Sequence, residues 1–158
     1  MCWGGGHQGR LGNGSTSDQS TPVTVTNLND AISITAAYRH TCALRQNGQV
    51  SCWGDGSYGR LGNDSTTNQS TPGTVSNLND AISVSAGSEH TCAVRQNGQV
   101  MCWGLGLYGQ LGNGLTSNQY TPVTVSNLND AISVSAGGGN TCAVRQNGQV
   151  MCWGRGLD

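Results

Sequence analysis

The sequence predicts an all-β fold, a β-propeller repeat of three blades of about 50 residues each, and three observations carry that expectation. Cys2, Cys52, Cys102 and Cys152 fall in step, and residues 51–100 and 101–150 are identical at 38 of 50 positions. A period of this size marks a repeat architecture with one supersecondary unit per period. Gly makes up 25 of the 158 residues, Ser, Thr and Asn are abundant, and no window carries a sustained helical stripe of apolar residues. Each period also holds short alternating runs broken by turn residues, the pattern of a four-stranded meander.

The elements follow in order. Residues 1–4 repeat the end of the unit without its first half and predict an orphan last strand. Blades are expected over 5–54, 55–104 and 105–154, with a tail at 155–158, all in a single repeat domain over 1–158. Within one period, TPGTVSN (71–77) predicts a Thr/Val strand. Leu78-Asn79-Asp80 supplies turn chemistry, because Asn and Asp bond their own backbone and tolerate left-handed geometry. AISVSA (81–86) alternates as a strand, Gly87-Ser88-Glu89 breaks it, and HTCAVR and QVMCWG flank Gln96-Asn97-Gly98. The expected sheet is therefore a meander over 71–104.

Register follows from sorting the two faces. In HTCALRQNGQVSCWG (40–54), a two-residue Asn-Gly turn would set Leu44 against Ser51. A three-residue loop with Gly48 left-handed sets Leu44 against Val50 and Cys42 against Cys52. One face then carries Cys, Leu, Val and Cys. The other carries Trp53 beside the small Thr41 and Ala43. A half-buried sheet fixes its register by such sorting, so the second loop is expected. Cys42/Cys52, Cys92/Cys102 and Cys142/Cys152 become directly opposed pairs, near what a disulfide requires. Small buried thiols filling the core are the alternative. Cys2 is the unpaired seventh. Zinc is disfavoured, since the pairs stand ten residues apart with no second pair nearby and His40 and His90 give way to Asn140.

Charge narrows the function. The chain has seven Arg, no Lys and eight acids, for a net charge of −1. That argues against an electrostatic grip on nucleic acid or on an anionic membrane. No apolar run approaches the roughly 20 residues of a membrane span. The N-terminus shows no basic-then-apolar pattern, so no export signal is expected here. The compartment stays open, extracellular or periplasmic if the cysteines are paired.

Catalytic chemistry has little to stand on. Without Lys, Schiff-base and P-loop chemistry are excluded. His7, His40 and His90 each stand alone, and His40 and His90 are expected to hydrogen-bond a turn. Asp30, Asp80 and Asp130 read as turn formers, and Glu89 is the lone Glu. The glycines after each C-W-G lack the strand-to-helix context of a phosphate loop and read as room for tight turns. No catalytic residue, cofactor or metal site is expected; the chain is not expected to be an enzyme.

The strand H-T-C-A-[LV], the N-G turn, the C-W-G strand and the following Y-G-R/Q-L-G-N resemble the regulator of chromosome condensation repeat family, over essentially the whole chain. The resemblance implies a β-propeller with blades of this length. Members usually close a seven-bladed ring on one chain, whereas this chain carries three units. The family's functions include nucleotide exchange on a small GTPase at chromatin, ubiquitin-pathway scaffolding and, in bacteria, protein binding such as β-lactamase inhibition. The cysteine-bearing C-W-G form looks like the bacterial branch. No functional residue carries over.

An arc of three blades leaves two apolar faces bare, and closed rings hold about four to eight blades. Two chains closing a six-bladed ring is the expected assembly, a homodimer. With four C-W-G strands for three sets of the others, one is surplus: either Met1–Gly4 takes the C-terminal copy's place in a partner blade, or one end hangs loose. The chain reads as a natural short protein, a gene fragment or an artificial array of repeats, and the alternative to a binding scaffold is a truncated or artificial array with self-assembly only and no external ligand. The second and third units differ at 51, 55, 57, 60, 64, 65, 67, 70, 73, 88, 89 and 90 and their counterparts. Nearly all of these fall at one rim, whereas the NLND and QNGQ turns at the other are invariant. Variable loops on a rigid scaffold are where recognition residues sit. The candidate protein-binding rim comprises Asp55, Ser57, Tyr58, Asp64 and Glu89 in the second unit, and Leu105, Leu107, Tyr108, Leu115 and Tyr120 in the third. The first unit adds His7, Tyr38 and Arg39.

Overall fold

A computed structural model describes residues 1–156; of the expected tail, residues 157–158 lie outside the described part. The strands are β1 (Cys2–Gly4), β2 (Gln19–Val23), β3 (Ala31–Ala36), β4 (His40–Arg45), β5 (Val50–Gly54), β6 (Gln69–Thr74) and β7 (Ala81–Ala86). They continue with β8 (His90–Arg95), β9 (Val100–Gly104), β10 (Gln119–Thr124), β11 (Ala131–Ala136), β12 (Asn140–Arg145) and β13 (Val150–Gly154). Among the described residues, helix is limited to single 3-10 turns at His7–Gly9 and Ser57–Gly59. The strands form blade-like antiparallel sheets: β3-β4-β5-β6, β7-β8-β9-β10, a three-stranded β11-β12-β13 and a two-stranded β1-β2.

The hairpin register is the one that sorts the faces. Cys42 pairs with Cys52, Leu44 with Val50 and Thr41 with Trp53, and Gly48 takes φ 79°. The same pairing recurs in the second and third sheets. All three opposed cysteine pairs are disulfides, with Cα atoms 4.1 Å apart, and Cys2 is free. Each bridge closes a short loop, worth about 2–3 kcal/mol in the chain-entropy account.

Sheet membership differs from the expected meander over 71–104. The Thr/Val strand β6 pairs with β5, which precedes it, through Ser51↔Thr74, Cys52↔Gly73 and Gly54↔Gln69. It does not pair with β7. The NLND segment is a crossover between sheets, not a hairpin turn. Val75 and Leu78 are buried in the seam between the two sheets. The Ala81 amide donates to the Gly48 carbonyl and the Gln96 amide to the Asp80 carbonyl, each at 2.9–3.0 Å, so the crossover ties two hairpin turns together. A Cβ at Gly48 would meet the Asn79 carbonyl oxygen at 2.6 Å, which leaves glycine as the residue that fits. Turn chemistry is local and fits a hairpin or a crossover alike; burial of Val75 and Leu78 decides between them.

The core is a stack of seams. Cys42, Leu44, Val50 and Cys52 of one sheet meet Val75, Leu78, Ala81, Val84, Ala93 and Trp103 of the next. The same residues one period on form the following seam, from Cys92 and Val94 to Leu128 and Val134. Each indole is inserted by the same device. Trp103 donates its Nε1–H to the Arg60 carbonyl at 2.9 Å and lies over Gly62, where a Cβ would come within 2.7 Å of Nε1. Trp53 over Gly12 and Trp153 over Gly112 repeat the arrangement. Trp3, in β1, is 62% exposed.

Trp103→Ala is expected to cost about 3–5 kcal/mol, since a large buried side chain leaves a cavity. Trp3→Ala should stay within about 0.5 kcal/mol. Urea unfolding of the two variants measures the contrast, and equal losses would contradict the seam as the seat of stability.

Candidate binding surfaces

The turns after β3, β7 and β11, the exits of β5 and β9, and the starts of β6 and β10 gather at one end of the sheets, as His40↔Gly54↔Gln69 and His90↔Gly104↔Gln119 require. The long loop after each C-W-G begins and ends there. In the second repeat its entry is pinned by the Gly56 amide donating to Asn68 Oδ1 at 3.0 Å, and Tyr58 takes φ 60°. The loop then lies on the neighbouring sheet. The Asp64 amide donates to the Tyr120 carbonyl at 3.0 Å, and Gly59 sits against the Tyr120 backbone, where a Cβ would approach Cα to 2.6 Å.

The charged rim residues close on one another. Asp55 is 1% exposed and accepts the Ser57 amide at 2.8 Å; Arg39 reaches its other oxygen at 3.5 Å and Arg60 at 3.6 Å. Arg60, also 1% exposed, pairs with Glu89 and donates to the Ser57 carbonyl at 2.9 Å. Burial pushes the Asp55 carboxyl up, but the Ser57 hydrogen bonds and the two guanidinium groups outweigh it and hold the carboxyl below its ordinary value. Burial lowers Arg60. Arg60 was not among the candidates, and it organises Asp55, Ser57 and Glu89. The signal was present in the sequence, because positions 55, 60 and 89 change together to Leu105, Gln110 and Gly139. In the third repeat, buried Gln110 takes over and accepts the Tyr108 amide at 2.8 Å. In the first, Arg10 donates to the His7 and Tyr38 carbonyls, each at 2.9 Å.

The remaining candidates face outward. His7, Tyr38, Tyr58, Asp64, Leu107, Tyr108, Leu115 and Tyr120 are exposed, and Arg39, Ser57, Glu89 and Leu105 are half-buried. Tyr58 stands beside Arg60 and Tyr108 beside Arg155, with guanidinium carbons 5.5 and 4.6 Å from the ring centres. The structure thus brings Asp55, Ser57, Glu89 and Arg39 into one cluster and Gly59 of the second loop against Tyr120. It spreads the other candidates over three successive repeats.

His40 and His90 do not bond a turn of their own sheet. His40 Nε2 meets Thr91 Oγ1 of the next sheet at 2.8 Å, and His90 Nε2 meets Thr141 Oγ1 at 2.8 Å. Thr91 and Thr141 donate to the Arg60 and Gln110 carbonyls. The hydroxyl proton is therefore committed, and each histidine must be the Nε2–H donor. Burial lowers His40 to about 3 and His90 to about 4. Asp30, Asp80 and Asp130, read as turn formers, also clamp their own sheets: Arg45, Arg95 and Arg145 donate Nε–H to both carboxylate oxygens at 2.8–3.1 Å.

A cleft of about 370 Å³ opens at the N-terminal side, walled by Met1, Cys2, Trp3, Leu11, Ile34 and Tyr38. Burial pushes the Cys2 thiol up. Of the candidate rim residues, Tyr38 alone lines it.

Family models of the regulator of chromosome condensation (RCC1) repeat match residues 2–44, 47–94 and 97–144, and a second model of the same repeat matches 31–60 and 81–110. No curated protein matches the chain. Among solved structures, yeast RCC1 (Prp20) bound to Kap60 is 22% identical over 96% of this chain and 38% of that one, with a TM-score of 0.81. Human WBSCR16 is 23% identical over 94% of this chain and 40% of that one, with a TM-score of 0.82. Prp20p from Saccharomyces cerevisiae, described with its binding to Gsp1p and histones, is 23% identical over 99% and 39%, with a TM-score of 0.73. At these identities the likeness carries the fold, and the chain spans about two-fifths of the length of these proteins.

The buried histidines set an acid limit. Their unfolded value is about 6.5, above the folded values of about 3 and about 4. The unfolded chain therefore binds more protons as the pH falls. Their contribution is complete above pH 6.5 and is lost progressively toward pH 3. Urea unfolding at intervals from pH 7 to pH 4.5 should show stability falling with pH. His40→Asn with His90→Asn, which copies Asn140, should flatten that slope; an unchanged slope would contradict the assignment.

Proposed function

Because the chain belongs to the regulator of chromosome condensation repeat family, we propose that it is a non-catalytic binding scaffold, two copies of which close a six-bladed ring that presents the variable rim to a protein partner. The observation that supports the assembly is the match in residue types between the faces of the two outer sheets, each of which is partly exposed. Cys92, Val94, Val100 and Cys102 of the middle sheet are fully buried. Cys142, Val144, Val150 and Cys152 of β11-β12-β13 are the same residues, and Val150 is 63% exposed. The middle sheet's face rests on Leu111, Val125, Leu128, Ala131, Val134 and Ala143. A second copy carries the same set with Ile for Val: Ala31 and Ile34 are exposed and Leu28 is half-buried, while Leu11, Val25 and Ala43 are already buried within the chain. Burying such a face is favourable by about 25 cal/mol per Å². A head-to-tail contact that closes on itself gives a discrete ring.

The rim reading is supported by the exposed Leu107, Leu115, Tyr58 and Tyr120 on loops that are pinned at their bases. Tyr is a favoured interface anchor. The yeast relatives are described with protein partners. The second reading, an array whose property is self-assembly alone, is favoured by how fully Asp55 and Arg60 are spent inside the scaffold.

Light scattering should give twice the mass of one chain; the mass of one chain together with a cooperative melt would overturn the ring. Leu107→Ser with Leu115→Ser and Tyr120→Ser should leave mass and stability nearly unchanged, because exposed substitutions act within about 0.5 kcal/mol. The same variant should lose proteins that the unmodified chain retains from a cell extract. Retention of the same proteins would favour the array without a ligand.

A further inference from the structure

The rim opposite the variable loops holds two matching clefts. At the crossover from β6 to β7, an open cleft of about 400 Å³ lies between Gln49 and residues 74–79. At the crossover from β10 to β11, a cleft of about 360 Å³ lies between Gln99 and Thr124, Val125, Asn127, Leu128 and Asn129. Both volumes fall within the roughly 300–1,000 Å³ of small-molecule sites. Each cleft is formed by a hairpin turn of one sheet and the crossover that leaves it for the next.

The walls are polar and uncharged. Asn77, Asn79, Asn127 and Asn129 are exposed, and among the described residues nothing bonds their side-chain amides. Gln49 Oε1 accepts from Asn47 at 3.1 Å and from Arg45 at 3.5 Å, which leaves the two Nε2 protons unused. Gln99 does the same with Asn97 and Arg95, at 3.1 and 3.2 Å. Thr74 and Ser76 add hydroxyls to the first cleft, and buried Val75 and Leu78 give it apolar carbon. Among the described residues no ionisable side chain lines either cleft. The charges closest along the chain are closed on partners. Arg45 holds Asp30, Arg95 holds Asp80 and Arg145 holds Asp130, each through both carboxylate oxygens at 2.8–3.1 Å.

Backbone geometry accounts for part of this set. Asn77 and Asn127 take φ 55° and 57°, which Asn tolerates. Asn79 and Asn129 do not take a positive φ, and what abuts Gly48 and Gly98 is their carbonyl, which any residue supplies. Their amides are spare. We propose that these two clefts are equivalent sites for a neutral saccharide, held by the side-chain amides of Asn79 and Asn129. Each carboxamide donates twice and accepts, and each hydroxyl does both. A sugar presents the same mixture on adjacent hydroxyls, and its C–H faces suit Val75 and Leu78. An ionic ligand would find no counter-charge. A peptide binds best by extending along a strand edge, and residues 75–79 lie outside the strands. Open sites of this kind bind weakly one at a time, and a polymer that engages both gains by effective concentration.

Nuclear magnetic resonance titration of the full chain with cellotriose, chitotriose and mannotriose reads the free sugar. Co-sedimentation with cellulose, chitin and insoluble mannan reads the polymer. At least one trisaccharide should shift the side-chain amide signals of Asn79 and Asn129 together, and the polymer of the same sugar should carry the chain down. Shifts without sedimentation identify the free saccharide as the ligand; both together identify the polymer. Asn79→Ala should abolish the response of its own cleft, leave that of Asn129 unchanged, and weaken polymer binding by on the order of tenfold or more. Asn79→Ala with Asn129→Ala should lose both responses with the urea midpoint unmoved. The Leu107→Ser, Leu115→Ser and Tyr120→Ser variant should bind saccharide as the unmodified chain does, which separates these clefts from the variable rim. No shift and no sedimentation with any of the six probes overturns the proposal, whether or not a variant folds. Undiminished binding by the double variant also overturns it, because the sugar then sits elsewhere. Stronger retention on heparin than on the neutral polymers overturns the assignment of an uncharged ligand.

Discussion

The contact between successive sheets is the constraint on which the rest of this structure depends. A four-stranded sheet of this size is one layer thick, and both its faces are oily. Its Cys, aliphatic and Cys face is buried only when the Trp-bearing face of the next sheet is laid on it. Close packing at native density then dictates details that look unrelated in the sequence. The indole needs a gap, which is opened by a glycine without a Cβ. It also needs an acceptor for its N–H, which the carbonyl of Arg10, Arg60 or Gln110 provides. The disulfide sits on the opposite face, where it fixes the hairpin that carries the seam.

Polar links follow the same seam. His–Thr bonds cross it, and so do the Ala86 amide to Thr35 Oγ1 at 3.2 Å and the Ala136 amide to Ser85 Oγ at 3.0 Å. These bonds join repeats about 50 residues apart, so each depends on the neighbouring repeat being docked. The Asp–Arg clamps stay within one sheet and stiffen it before docking. The rim inherits both kinds of order. Arg60 reaches the Ser88 carbonyl and Glu89 from the loop after β5, so the loop of one repeat is held by the turn of the next.

What the sequence revealed divides along a physical line. Register and disulfide pairing were legible, because Leu44 against Val50 and Cys42 against Cys52 are set by sorting over fifteen consecutive residues. Membership of β6 was not. NLND has the composition of a hairpin turn, and only the burial of Val75 and Leu78 between two sheets makes it a crossover. The partners of His40 and His90 were hidden for the same reason, since Thr91 and Thr141 lie 51 residues away. The rim was legible as a place. The 87–89 turn and the loop ends do gather at one end, but the inward turn of Asp55 and Arg60 rests on a contact between repeats that no single repeat displays.

Docking also explains how one scaffold carries three different rims. The invariant NLND and QNGQ turns join one repeat to the next through Ala81 to Gly48 and its counterpart Ala131 to Gly98. The opposite end also contacts the next repeat, through Arg60 to the Ser88 carbonyl and the Asp64 amide to the Tyr120 carbonyl, and it changes where each change leaves the seam filled. The exchange of Asp55, Arg60 and Glu89 for Leu105, Gln110 and Gly139 meets this condition as a set: removing the buried cation removes both of its carboxylate partners as well. Without Arg60, Glu89 would lose its ion-pair partner and the buried Asp55 one of its two guanidinium neighbours. The rim therefore varies in blocks, each block being one solution to the packing of a loop on the next sheet, and the side chains there change from charged in the second repeat to apolar in the third.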